Sequence, residues 1–130
     1  MTPHDELRAL GQRYARAADA RDVDALAELF HPDARIVGSR GAQTRQEWLD
    51  TMGAPRAFPI SMHVLGDPLI TLDEGSDRAT LDTYAVVYQL SEPGSGHGDL
   101  TLGLRYEDEV LRLDGRWVIR NRSARTVWMR

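Results

Sequence analysis

From residue 7 onward the apolar positions Leu7, Leu10, Tyr14, Ala17 and Ala18 recur at three- and four-residue spacing. That period predicts a helix burying one face. Thr2-Pro3-His4-Asp5 supplies its start, with Thr2 as N-cap, Pro3 in the first helical position and Asp5 as the capping-box acid. Its end falls near Asp19 to Arg21. Asp22 then caps a short second helix carrying Leu26, Leu29 and Phe30. His31-Pro32 stops that helix, because the residue before a proline avoids helical backbone. Residues 34–38 (ARIVG) read as a short strand, and 40–53 as a third helix with Trp48, Leu49 and Met52 facing inward.

Beyond Pro59 the period shortens to two. Strands are predicted at 60–66, 68–73, 79–90, 98–112 and 116–128, with hairpin turns at 73–77 and 113–115 and a Gly/Ser/Pro loop at 91–99. In 98–112, Leu100, Leu102, Leu104, Tyr106, Asp108 and Val110 share one face, and charged residues fill the other. Asp108 lies near the strand end and reads as solvated. In 79–90 both faces carry apolar residues. A second apolar surface on so small a sheet points to a homo-oligomer. Three helices followed by long antiparallel strands predict an α+β fold, a curved sheet with helices on one face, as one domain over 1–130.

Composition removes whole classes of chemistry. The chain has no Cys and no Lys, since all 16 cations are Arg. Thiolate nucleophiles, thiolate metal sites, Schiff bases and a phosphate-loop lysine are thereby excluded. The Arg-only usage suits a GC-rich bacterial coding bias. A net charge of −4 gives no electrostatic reason to expect a nucleic-acid partner. The first residues lack a signal-peptide pattern and no apolar run approaches membrane-span length, so the expectation is a cytoplasmic protein without membrane contact. His31 and Asp33 are close in sequence, but no second histidine is spaced to complete a metal site.

Two residues stand out as candidate chemistry. Asp19 ends the first helix among alanines, where an acid can face a cavity. His63 alternates with Ser61 and Leu65 on one face of a strand that reads as buried. A histidine there is either a satisfied core residue or a base. Thr83, Tyr106 and, by parity with Trp117 and Ile119, Asn121 fall on inward positions from which they can hold a ligand oxygen.

The segments YARAADARDVDALAELFHPDARI (14–36), MHVLGDPLITLDEGSDRATLDTYAVVYQL (62–90) and YEDEVLRLDGRWVIRNR (106–122) resemble the SnoaL-like branch of the nuclear-transport-factor-2-like superfamily. The resemblance covers nearly the whole chain. It implies a cone-shaped, curved, mixed but largely antiparallel sheet wrapped around three N-terminal helices, the NTF2-like α+β barrel. The chain is most similar to the group that includes scytalone dehydratases, hexachlorocyclohexane dehydrochlorinases and bile-acid dehydratases. Those enzymes use an Asp–His dyad in a cone-shaped pocket without metal or cofactor, and they form dimers or trimers through the sheet. Asp19 and His63 match the dyad. Other pocket positions depart: Ala18 and Gly38 stand at tyrosine positions, Thr83 at a second histidine, and Leu104 and Tyr106 at a serine and an asparagine.

The resemblance therefore implies a cofactor-independent lyase or isomerase of dehydratase type, with His63 and Asp19 catalytic. Tyr14, Thr83, Tyr106 and Asn121 remain as polar handles. Leu100, Leu102, Leu104, Trp48, Met62 and Phe30 would line a cone suited to a hydrophobic cyclic molecule. Two alternatives stay open: a non-catalytic small-molecule-binding domain, and an epoxide hydrolase or cyclase on the same scaffold. A homodimer or homotrimer is expected, with Tyr84, Val86, Tyr88, Val127 and Trp128 on its contact face.

Overall fold

The computed structural model describes residues 1–73 and 75–130. Helix α1 (Pro3–Ala20) begins with the predicted reciprocal cap: Asp5 N–H donates to Thr2 Oγ1 and Thr2 N–H to Asp5 Oδ2, both at 3.1 Å. It ends at Arg21, whose left-handed backbone (φ 53°) turns the chain. Asp22 accepts from Ala25 N–H and starts α2 (Val23–Leu29).

The next stretch differs from the sequence expectation. Strand β1 runs over Phe30–Gly38, starting before Pro32, and pairs with β2 (Gly41–Thr44). The third helix, α3 (Arg45–Gly53), is correspondingly shorter than the predicted 40–53. The reason is local. Thr44 and Glu47 form a second capping box that fixes the helix start, while Gly41 takes the positive φ needed to turn β1 back on itself. Pro32 is tolerated because the pairing of β1 is irregular between Phe30 and Arg35.

The remaining strands are β3 (Ile60–Leu65), β4 (Leu69–Leu72), β5 (Arg78–Leu90), β6 (Leu100–Leu113) and β7 (Arg116–Met129). Asp114 and Gly115, both at positive φ, make the β6–β7 hairpin turn. Of the predicted 73–77 turn, Glu74 lies outside the described residues. Among the described residues the sheet has seven strands in the order β2-β1-β7-β6-β5-β3, with β4 also on β5. β1 and β7 run parallel and the other pairs antiparallel. The sheet is mixed and curved but does not close into a barrel.

The helices cover its concave face. Leu7, Leu10 and Leu26 from the helices meet Phe30, Leu81, Val110 and Ile119 from the sheet in one buried cluster. Each such side chain contributes roughly 1.5–3 kcal/mol of burial free energy. Met62 was expected in the cone, yet it is 52% exposed on the convex face, because its neighbours Ser61 and His63 take the inner side of β3. No described helix is long and apolar enough to cross a membrane.

Candidate active site

Asp19 sits in the last turn of α1, where the helix dipole presents its negative end. A carboxylate there is locally unfavourable unless donors from elsewhere meet it. Strand β3, at one edge of the sheet, supplies three. Ser61 Oγ donates to Asp19 Oδ1 at 3.1 Å. The backbone N–H of His63 donates to Oδ2 at 3.0 Å. His63 Nδ1–H donates to Oδ1 at 2.6 Å. An ionised carboxylate only accepts, so the neutral imidazole carries its proton on Nδ1 and leaves Nε2 as a free base. The His63 side chain is 9% exposed and that of Asp19 24% exposed. Burial pushes the His63 imidazole below its ordinary pKa; the Asp19 hydrogen bond and charge oppose this, and Arg122 and Arg56 add to the lowering. His63 is thus neutral at physiological pH.

Tyr14, one turn and a half before Asp19 on α1, is the hub of the interior. Its ring meets His63 edge-on at 5.8 Å between centroids, Tyr106 at 5.7 Å and Phe30 at 6.3 Å, and stacks on Trp48 at 6.4 Å. Trp48 in turn packs on Phe30 at 4.6 Å. Beside Tyr14 lies a cavity of about 330 Å³. Leu10, Leu65, Leu81 and Ile119 give it apolar walls, and Tyr14, Thr83, Tyr106, Asp108 and Arg122 bring polar groups. Burial pushes the Tyr106 phenol well up, with Tyr14 beside it adding to the shift, so Tyr106 stays a neutral donor.

The structure thus brings together Asp19 and His63, and sets Tyr14, Thr83 and Tyr106 around the cavity. Tyr14 belongs to both groups: it lines the cavity and touches the imidazole, whereas neither His63 nor Asp19 is a lining residue. Trp48 is buried behind Tyr14 and does not line the cavity, nor do Phe30, Leu100, Leu102 and Leu104.

Asn121 is misplaced by simple parity. Opposite it, β6 proceeds from Glu109 to Val110 while β7 steps from Asn121 to Ile119, so Arg120 is an extra residue. This β-bulge inverts the alternation beyond it. Asn121 reaches toward Glu109 at 3.5 Å on the outer side, and Arg122 takes the inward position.

Arg122 is 5% exposed and pairs with Asp108, its direct cross-strand neighbour, which is 4% exposed. Nε donates to Oδ1 at 2.8 Å and Nη2 to Oδ2 at 3.0 Å. Asp108 is therefore fully buried rather than solvated. Burial alone would lower the Arg122 pKa; the Asp108 charge and hydrogen bonds more than offset this, and the guanidinium stays charged. Sequence reasoning missed Arg122 for want of the bulge, and passed over Ser61, whose one signal is its shared parity with His63. Among the described residues no three His, Cys, Asp or Glu side chains group as metal ligands.

A family model for SnoaL-like domains matches residues 1–123. The fold is similar to that of a scytalone dehydratase candidate from Novosphingobium aromaticivorans (21% identity, TM-score 0.82, 97% of this chain and 85% of that one). It is similar to a type 2 hexachlorocyclohexane dehydrochlorinase (14% identity, TM-score 0.83, 97% and 86%). It also resembles an NTF2-like protein with a cystatin-like fold from Novosphingobium aromaticivorans (25% identity, TM-score 0.78, 95% and 80%). Comparison with curated proteins gives no match.

Proposed function

The chain belongs to the SnoaL-like domain family, and from that premise we propose that it is a cofactor-independent lyase or isomerase of dehydratase type, acting on a hydrophobic cyclic small molecule. The observation that carries the reading is the 2.6 Å contact between His63 Nδ1 and Asp19 Oδ1. It fixes the imidazole tautomer and leaves Nε2 to remove a proton from carbon beside a carbonyl. Asp19 then stabilises the imidazolium. As the C–H electrons form a C=C bond, the C–O bond of a leaving hydroxyl breaks, and the imidazolium returns its proton to that oxygen to release water. Return of the proton to a different carbon gives isomerisation instead. Structural relatives named as a dehydratase candidate and a dehydrochlorinase carry out, or are assigned, eliminations, which supports the reaction class.

The direct test does not need the natural substrate. Cyclic ketones incubated with the protein in deuterated water should gain deuterium at the carbon beside the carbonyl, read by mass spectrometry. His63→Ala and Asp19→Asn should each lose that gain while keeping a native circular-dichroism spectrum. Exchange that continues unchanged in both variants removes the dyad from the account.

One observation favours a second reading, a binding domain without catalysis: the dyad does not line the cavity, and Tyr14 stands where the two meet. Tight ligand binding with no exchange or product from any bound compound would select it. In either case we infer self-association through the convex face, where Tyr84, Tyr88, Val127 and Trp128 are exposed beside the half-buried Val86. A monomeric mass in solution would overturn that inference.

A further inference from the structure

Three sides of the Arg122 guanidinium have partners, and the fourth has no hydrogen-bond acceptor. The Tyr14 ring covers one face, with Cζ 4.1 Å from the centroid, and the Tyr106 ring approaches at 4.2 Å. Asp108 takes the edge formed by Nε and Nη2. The remaining nitrogen, Nη1, is buried and has no hydrogen-bond partner. A buried donor left unmade is costly, and more so on a charged group. Arg122 lines the 330 Å³ cavity, whose other walls are mostly apolar.

The charge state of the pair restricts what can satisfy Nη1. Asp108 already neutralises Arg122 with two charge-assisted bonds. An anionic ligand would bring a further charge next to the Asp108 carboxylate, and the other cation lining the cavity, Arg8, is already paired with Asp67. A neutral oxygen acceptor satisfies Nη1 at no such cost. As that oxygen gains negative charge during proton abstraction at the adjacent carbon, the same N–H strengthens its hold, as preorganised donors do.

The geometry points to Arg122 Nη1 as the polar anchor of the cavity, selecting a cyclic ligand with one neutral carbonyl oxygen over both its hydrocarbon and its carboxylate analogues. This deepens the proposed function, because it rests on reading the cavity as the substrate site, but it does not rest on the dyad.

The test uses three probes of one bicyclic frame small enough for the cavity: β-tetralone, tetralin and tetralin-2-carboxylate, titrated into the intact protein by calorimetry. The ketone should bind about tenfold or more tightly than tetralin, the worth of a hydrogen bond to a charged donor, and also more tightly than the carboxylate. Because Arg122→Met alone strands a buried carboxylate and can unfold the protein, the comparison variant is Asp108→Leu/Arg122→Met, which swaps the pair for apolar side chains of similar bulk. In it the ketone preference should vanish while tetralin binding holds. His63→Ala should keep the preference in full, so failure of the dyad and failure of the anchor are told apart. Equal binding of ketone and hydrocarbon, tighter binding of the carboxylate, a preference that survives the double variant, or no binding of any probe overturns the inference.

Discussion

Two carboxylates enter this interior and meet opposite fates. Asp19 reaches a strand edge from a helix end, remains 24% exposed, and holds a base that titrates. Asp108 faces a guanidinium across two paired strands, is 4% exposed, and holds a charge that does not titrate in any accessible range. The same acid makes a proton-handling pair in one place and a fixed dipole in the other. What separates them is the partner and the solvent around it. The titratable pair stands where a strand edge offers spare donors, and the permanent one where the sheet is fully paired.

The largest break of that contrast is chemical. His63→Ala should slow proton abstraction by roughly 10²–10⁴-fold, measured as deuterium uptake into a ketone, at a stability cost of about 1–3 kcal/mol for the lost donor to Asp19. The mirror change, Arg122→Met, should act on stability, costing about 3–5 kcal/mol by leaving Asp108 buried and unpaired. Urea unfolding measures that loss, and the Asp108→Leu/Arg122→Met double variant should recover most of it. A single variant as stable as the parent would mean the buried pair is not the structural element described here.

A pH series sharpens the comparison further. The folded His63 pKa is lowered, so the unfolded chain takes up a proton first as pH falls. The associated stability is therefore present above about pH 6.5 and is lost as pH falls below that value toward the folded pKa. Exchange activity should fall on acidification with a midpoint below the same value. Unfolding curves on either side of about pH 6.5 should show the loss in the parent and not in His63→Ala. Smaller still, Ser61→Ala removes one of the three donors to Asp19 and should cost about 0.5–1.5 kcal/mol, visible in the same urea titration. Asn121→Ala, on the outer side of the bulge, should stay within about 0.5 kcal/mol of the parent and leave ketone binding unchanged.

Much of this was legible in the chain. Capping at Thr2 and Asp22, the apolar period through Leu7, Leu10 and Tyr14, and the alternation of β5 and β6 locate most elements to within a residue or two. The Asp19–His63 match came from resemblance, since nothing in local spacing says that residues 44 apart will touch. Strand β2 was hidden inside a helix expectation, although Thr44 and Glu47 spell a capping box that marks the later start. Arg122 was hidden for a different reason. Parity counting assumes an unbroken ladder, and a bulge depends on the partner strand, which the local pattern does not contain. Asp108 was misjudged for the same cause: a carboxylate near a strand end looks solvated until its cross-strand cation is known.

Arg120 carries a consequence separate from its own side chain. It is the surplus residue of β7 at the bulge between Ile119 and Asn121. Excising it would leave Asn121 opposite Glu109 and Arg122 opposite Asp108 in an unbroken ladder, with the guanidinium still facing the interior. The interior cation is thus insensitive to one peptide unit between Ile119 and Asn121, and a lineage could gain or lose that unit by a single codon without moving any residue that faces the cavity.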